Sequence, residues 1–101
     1  MSPTDLPIFV GCEAIQDGFR CRVRVGDDAG ATHHDVRVRQ ADLGHFSFEE
    51  TEPETLVRES FRFLLEREPR ESILPRFELS VIARYFPDYP IAIRRRLGAG
   101  R

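Results

Sequence analysis

Five arginines alternate with apolar residues along two short segments of the chain. Arg20, Arg22 and Arg24 occupy every second position, and Arg37 and Arg39 repeat this spacing further along. Side chains on a β-strand alternate between its two faces, so the spacing places all five guanidinium groups on one side of two neighbouring strands. Guanidinium groups bind carboxylates and phosphates through paired hydrogen bonds. The pattern therefore predicts a candidate face for binding anions or nucleic acid.

The arginine face also has a simpler interpretation, because acidic residues share it. Glu13 and Asp35 fall on the same side by the same alternation. Cross-strand ion pairs with them would give a solvated charged face that also deters aggregation at the sheet edge. Sheets that bind nucleic acid usually add stacking aromatic rings, whereas here only Phe9 has the matching parity. The sequence leaves both interpretations open.

A second group of candidate residues is apolar. Phe9 and Ile15 fall on the charged side of the predicted sheet, and Tyr85, Phe86 and Tyr89 crowd a corner between two predicted helices. Aromatic residues are enriched at interface cores, and apolar residues on a charged face are explained by a second copy or a covering segment. These five residues are therefore the candidate partner surface. For the aromatic corner, a hydrophobic joint inside the core is the alternative.

Few residues show the spacing of a catalytic or metal site. His33 and His34 point to opposite faces of a strand, and no third metal ligand follows at a workable spacing. No nucleophile motif or glycine-rich phosphate loop is evident. We therefore expect no catalytic residue, no metal and no cofactor, and predict a noncatalytic interaction or regulatory module. Nucleic-acid binding is the alternative function, and a thiol enzyme built on Cys21 and His34 is the third hypothesis.

The two cysteines, Cys12 and Cys21, are expected to face the core. Asp17-Gly18 is a favoured pair for a two-residue hairpin turn. This turn would place Cys21 opposite Ala14 and leave Cys12 diagonal to it, which is too distant for an easy disulfide. The sequence therefore favours buried free thiols, which behave as small apolar groups. A two-residue shift of the turn would instead set the cysteines opposite each other and make a bond more plausible.

Three segments alternate in the manner of half-buried strands. They span residues 8–14, 19–25 and about 32–39, and they predict an antiparallel meander with one apolar face. Residues 40–50, with Leu43, Phe46 and Phe48, could add a short turn and a fourth edge strand, so the predicted meander has three or four strands.

The strongest predicted helix begins at a capping box, in which Thr51 is followed three residues later by Glu54. It runs to about Arg67 and ends before Pro69. Its apolar positions cover half of its circumference or more, so we expect it to be covered on two sides. Those positions are Leu56, Val57, Ser60, Phe61, Phe63, Leu64 and Leu65. Two or three short helices should follow, one ending before Pro87 and one carrying Pro90 in its first turn.

Length and composition indicate one soluble α+β domain. The chain has 101 residues, of which 41% are hydrophobic and 32% charged, with a formal net charge of −2. We expect a sheet over about 8–48, helices over about 51–97 and a frayed tail at 98–101. No apolar run reaches the roughly 20 residues of a membrane span, and the start of the chain lacks a signal-peptide pattern. The expected location is the cytoplasm, and the expected partner is another protein or a second copy.

The C-terminal half also carries a recognisable pattern. It reads Phe63-Leu64-Leu65-Glu66-Arg67-Glu68-Pro69, then Glu71-Ser72-Ile73-Leu74, then Ser80-Val81-Ile82-Ala83-Arg84-Tyr85-Phe86-Pro87-Asp88-Tyr89. This pattern resembles one found in small uncharacterised bacterial proteins. The resemblance implies no activity and no site residues.

Overall fold

The structure, a computed structural model, describes residues 6–45 and 52–98. It is an α+β fold in which a sheet is covered on one side by helices. In chain order the elements are β1 (Ile8–Ile15), β2 (Gly18–Val25), β3 (Thr32–Arg39), α1 (Gln40–His45), α2 (Pro53–Leu65), a 3-10 turn (Arg70–Ser72), β4 (Arg76–Glu78), α3 (Val81–Tyr85) and α4 (Tyr89–Gly98). In the described part of the chain, no helix has the length and apolar character needed to cross a membrane.

The sheet has four strands in the order β1-β2-β3-β4. The first three are antiparallel, as predicted, but β4 runs parallel to β3. Of the turn and strand suggested for residues 40–50, the structure describes only the first half, where Gln40–His45 continue from β3 as the helix α1 in place of the turn and bury Leu43. Phe46 and Phe48 lie outside the described residues. The fourth strand of the described sheet is Arg76–Glu78, which pairs with β3 and follows α2 in the chain.

The β1–β2 hairpin differs from the predicted register by two residues. Its two-residue loop is Gln16-Asp17, and Gly18 is already paired with Ile15 as the first residue of β2. A Cβ atom on Gly18 would overlap the carbonyl oxygen of Val38, and the Gly18 φ of +154° is one that other residues rarely adopt. Gly18 is therefore required by the close approach of β3 and not by the turn.

The shifted register places Cys12 directly opposite Cys21. The two side chains form a disulfide, with their Cα atoms 4.0 Å apart. The prediction of buried free thiols is therefore wrong. The alternative register, in which the cysteines oppose each other, is the one observed.

The central helix α2 buries the seven residues that its periodicity predicts. It contacts β1 and β2 on one side and α4 on the other, so its wide apolar stripe is covered twice. Between α2 and α4, the hydroxyls of Ser60 and Tyr89 share a buried hydrogen bond of 2.7 Å. The helix is shorter than predicted: Glu52 is its N-cap and it ends at Leu65, with Glu66 and Arg67 in the following turn. Thr51, the predicted cap, lies outside the described residues.

Two polar contacts attach the segment after α2 to the sheet. The Arg70 guanidinium contacts Asp28 and the Val25 carbonyl at the end of β2. His34 Nδ1 donates to the Leu74 carbonyl at 2.8 Å, and its Nε2 accepts from the Thr32 hydroxyl. Burial lowers the pKa of His34, which favours the neutral ring in the folded protein. Arg70 therefore attaches this segment to the end of β2, and His34 attaches it to β3.

Candidate anion-binding face

The face of the sheet that points away from the helices is called the outer face here. Its rows follow from the strand register: Phe9, Arg24 and His33; Gly11, Arg22, Asp35 and Arg76; Glu13, Arg20, Arg37 and Glu78; Ile15, Gly18 and Arg39. All five predicted arginines lie on this face. Arg20 is half-buried, and the other four are exposed. The structure adds Arg76 from β4, so six arginines face three carboxylates and leave a surplus of three positive charges.

Two of the six arginines are neutralised by ion pairs. Arg20 contacts Asp35 through two nitrogens, with Nη2 2.6 Å from Oδ2 and Nε 3.0 Å from it. Arg39 Nη2 lies 2.8 Å from Oε1 of Glu78. The hydrogen bonds from Arg20, with the neighbouring Arg76 and Arg22 charges, lower the pKa of Asp35. The solvated ion-paired interpretation therefore describes part of this face.

Of the remaining four arginines on the outer face, three have neither a carboxylate nor an aromatic partner among the described residues. Within residues 6–45 and 52–98, the guanidinium groups of Arg22, Arg37 and Arg76 form no ion pair or side-chain hydrogen bond. They come from three adjacent strands and surround the Arg20–Asp35 pair. A depression of about 410 Å³, lined by Arg37, Arg76 and neighbouring side chains, lies between β3 and β4. An incoming anion would therefore find guanidinium donors already gathered and accessible.

The sixth arginine, Arg24 on β2, contacts an aromatic ring of the neighbouring strand β1. The guanidinium carbon of Arg24 lies 4.5 Å from the ring centroid of Phe9, and this ring is 46% exposed. Ile15, at the opposite end of β1, is half-buried. Phe9 is thus an exposed apolar residue on the charged face, as its parity predicts, but Arg24 already covers part of it.

The aromatic corner divides into surface and core. Tyr85 is 69% exposed, whereas Phe86 is half-buried and packs edge-on against Phe63. Tyr89, predicted on a partner surface, is fully buried and hydrogen-bonded to Ser60. Burial of its ring raises its pKa. Tyr89 is therefore a core residue, because the turn at Pro87-Asp88 directs α4 back onto α2.

Known proteins do not identify this chain. No family, no curated protein and no solved structure matches it. The predicted resemblance to small bacterial proteins stays a prediction. Within the described residues, no group of three or more histidine, cysteine, aspartate or glutamate side chains is placed to hold a metal ion.

Two residues of the candidate sites, Arg76 and Glu68, carry no signal in the sequence. Arg76 completes the outer face, but β4 is only three residues long and its alternation is too short to recognise. Glu68 lines an apolar groove on the helical side of the molecule. Its position before Pro69 gives no signal of that environment, which is created by residues distant in sequence.

Proposed function

We propose that the protein is a noncatalytic interaction module whose outer face binds an acidic segment of a partner protein. The observation that carries this proposal is that Arg22, Arg37 and Arg76, on three adjacent strands, have no ion pair with any residue that the structure describes. Arginine forks bind carboxylates through paired hydrogen bonds, and complementary charge guides both encounter and register. Asp35 and Glu78 lie between the arginines, so a partner needs acidic groups at particular positions and not only a high negative charge.

Nucleic acid fits the outer face less well. The whole chain carries a net charge of −2, so it has no general attraction for a polyanion. Single-stranded nucleic acid is usually held by several stacking rings. On the described outer face only Phe9 supplies a phenyl ring, and Arg24 already lies over it. A carboxylate-rich segment needs guanidinium donors and no stacking platform.

The test replaces the three unpaired arginines together, as Arg22→Gln, Arg37→Gln and Arg76→Gln. Binding of a labelled acidic peptide and of a mixed-sequence single-stranded oligonucleotide is followed by fluorescence anisotropy at low and physiological salt. We expect the peptide to bind the unmodified protein with salt-dependent affinity. Three exposed ion pairs contribute about 0.2–1 kcal/mol each, so the triple variant should bind about tenfold more weakly.

The matched control removes three arginines of the helices, as Arg58→Gln, Arg84→Gln and Arg95→Gln. It changes the net charge equally but leaves the outer face intact, so peptide affinity should stay within about twofold of the unmodified protein if a local site is responsible. Equal weakening in both variants, or no peptide binding at low salt, contradicts the proposal. Binding of the oligonucleotide in preference to the peptide would support the nucleic-acid alternative instead.

Self-association through β1 is a second candidate function, favoured by the backbone at the edge of the sheet. The 4.0 Å Cα separation of Cys12 and Cys21 is typical of a pair without mutual backbone hydrogen bonds, so the Cys12 backbone groups point away from β2. By alternation, the same holds for Val10 and Ala14. No described residue pairs with this free edge. A second copy of β1 would satisfy these groups by antiparallel strand addition.

Sedimentation at increasing protein concentration tests this second candidate. Val10→Pro removes one outward N–H, and it should weaken dimerisation about tenfold or more, whereas Val10→Ala keeps this donor and should dimerise normally. A protein that stays monomeric over the whole concentration range contradicts self-association. So would a proline variant that dimerises as tightly as the alanine control.

A further inference from the structure

A groove of about 340 Å³ lies on the helical side of the molecule, away from the outer face. It is bounded by the end of α2, the segment leading into β4, and α3. Most of its lining is apolar and comes from Leu64, Ile73, Phe77, Ile82 and Phe86. The volume falls at the small end of the range for ligand sites, roughly 300–1,000 Å³, and it suits one long side chain better than a folded element.

One charged residue, Glu68, lines this groove. It is half-buried, and its carboxylate has no ion pair or hydrogen bond within the described residues. The adjacent arginines are engaged elsewhere: Arg67 with Asp88, and Arg70 with Asp28. Burial without a compensating cation raises the pKa of Glu68. A partly desolvated, unpaired carboxylate in apolar surroundings would be stabilised by an incoming cation.

The rim of the groove exposes large apolar side chains. Tyr85 is 69% exposed and Leu74 is 46% exposed, and both line the opening. Tyrosine offers a ring face to a cation, and exposed apolar groups beside a groove are typical of surfaces that a protein partner covers. The site therefore presents an apolar channel, a carboxylate and an accessible ring in one place.

We propose that this groove binds an arginine side chain of a partner protein, next to Glu68 and Tyr85. The methylene stem of arginine packs on apolar walls while its charged end reaches a polar group. The guanidinium can donate two hydrogen bonds to the Glu68 carboxylate and stack on the Tyr85 ring, which a lysine ammonium does less well. This site is separate from the outer face and does not depend on the function proposed for it.

The test uses two short peptides, acetyl-Leu-Arg-Leu-amide and the same peptide with citrulline in place of arginine. Citrulline keeps the shape of the side chain but removes its charge. In titrations of isotope-labelled protein followed by NMR, the arginine peptide should shift the amide signals of Glu68, Ile73 and Tyr85 in a saturable way. It should bind about tenfold more tightly than the citrulline peptide, the factor that one charge-assisted hydrogen bond can supply.

Glu68→Gln should reduce this preference for arginine to about twofold or less, because the amide is isosteric and uncharged. Glu13→Gln on the outer face is the matched control and should bind like the unmodified protein. If Glu68→Gln loses its folded spectrum, Tyr85→Ala decides, since Tyr85 is on the surface and its loss should still weaken binding. Equal binding of the two peptides would assign the groove to an apolar side chain and overturn the proposal, as would the absence of saturable shifts near Glu68.

Discussion

Replacing Phe61 by alanine should lower the free energy of unfolding by about 3–5 kcal/mol, a large part of the roughly 5–15 kcal/mol that stabilises a small domain. Phe61 is fully buried in the C-terminal half of α2. Its ring centroid lies 5.1 Å from that of His34 on β3 and 6.0 Å from that of Phe77 on β4. Removing the ring leaves a cavity between the helix and the sheet. This cavity cannot close, because the backbone on both sides is rigid. Urea unfolding followed by circular dichroism measures the loss.

Phe9→Ala is the matched control for this prediction, because it makes the same chemical change on the outer face. The Phe9 ring is 46% exposed and lies under the Arg24 guanidinium on the outer face, so we expect a change within about 0.5 kcal/mol. A loss below about 1 kcal/mol at Phe61, or similar losses at both sites, would contradict the packing of α2 against the sheet.

The elements that the sequence predicts well are those whose periodicity reports burial directly. β3 spans Thr32–Arg39 as predicted, and α2 buries its seven predicted residues. In both cases one face is packed against the core, so the alternation of side chains along the strand or helix is visible in the residues themselves. The same alternation correctly places Arg20, Arg22, Arg24, Arg37 and Arg39 on one face.

The features that could not be predicted depend on contacts between distant segments. Asp17-Gly18 is typical of a hairpin turn, but the structure uses Gly18 to let β2 approach Val38. Local turn preference contains no information on a contact twenty residues away. The predicted register was therefore wrong by two residues, and it did not place Cys12 opposite Cys21. Likewise, β4 is defined by its pairing with Asp35, Val36 and Arg37, and not by a pattern of its own.

Part of the candidate sites was predictable for the same reason. Strand parity identifies the five arginines, but it does not show that Asp35 pairs with Arg20 and leaves Arg22 and Arg37 without an ion pair in the described part of the chain. For Tyr89, the sequence leaves open both a partner surface and a buried hydrophobic joint, because aromatic residues are typical of both. Its partner Ser60 lies on another helix, so only the packing of α4 on α2 shows that it is buried.

Reduction of the Cys12–Cys21 bond should lower the free energy of unfolding by about 2–3 kcal/mol. The two cysteines are nine residues apart in sequence, and a loop of this size loses that much conformational freedom in the unfolded chain when it is closed. The bond joins edge strand β1 to β2, so the loss should be accompanied by faster hydrogen exchange in β1. Urea unfolding with and without reductant measures the difference on one unmodified sequence.

A variant with both Cys12→Ala and Cys21→Ala is the control, because its stability should not respond to reductant. Thiol labelling of the unfolded, unreduced protein provides the decisive check: two reactive thiols would show that the bond does not form in solution.

The state of the two cysteines also bears on location, since most cytosolic proteins keep their cysteines reduced, whereas disulfides persist in oxidising compartments. If rapid thiol trapping in the native cell finds the two cysteines bonded, this result contradicts the predicted location in a reducing cytoplasm. If both thiols are trapped as free, β1 is held less firmly in the cell, and its edge is then easier to open or to pair with a second copy.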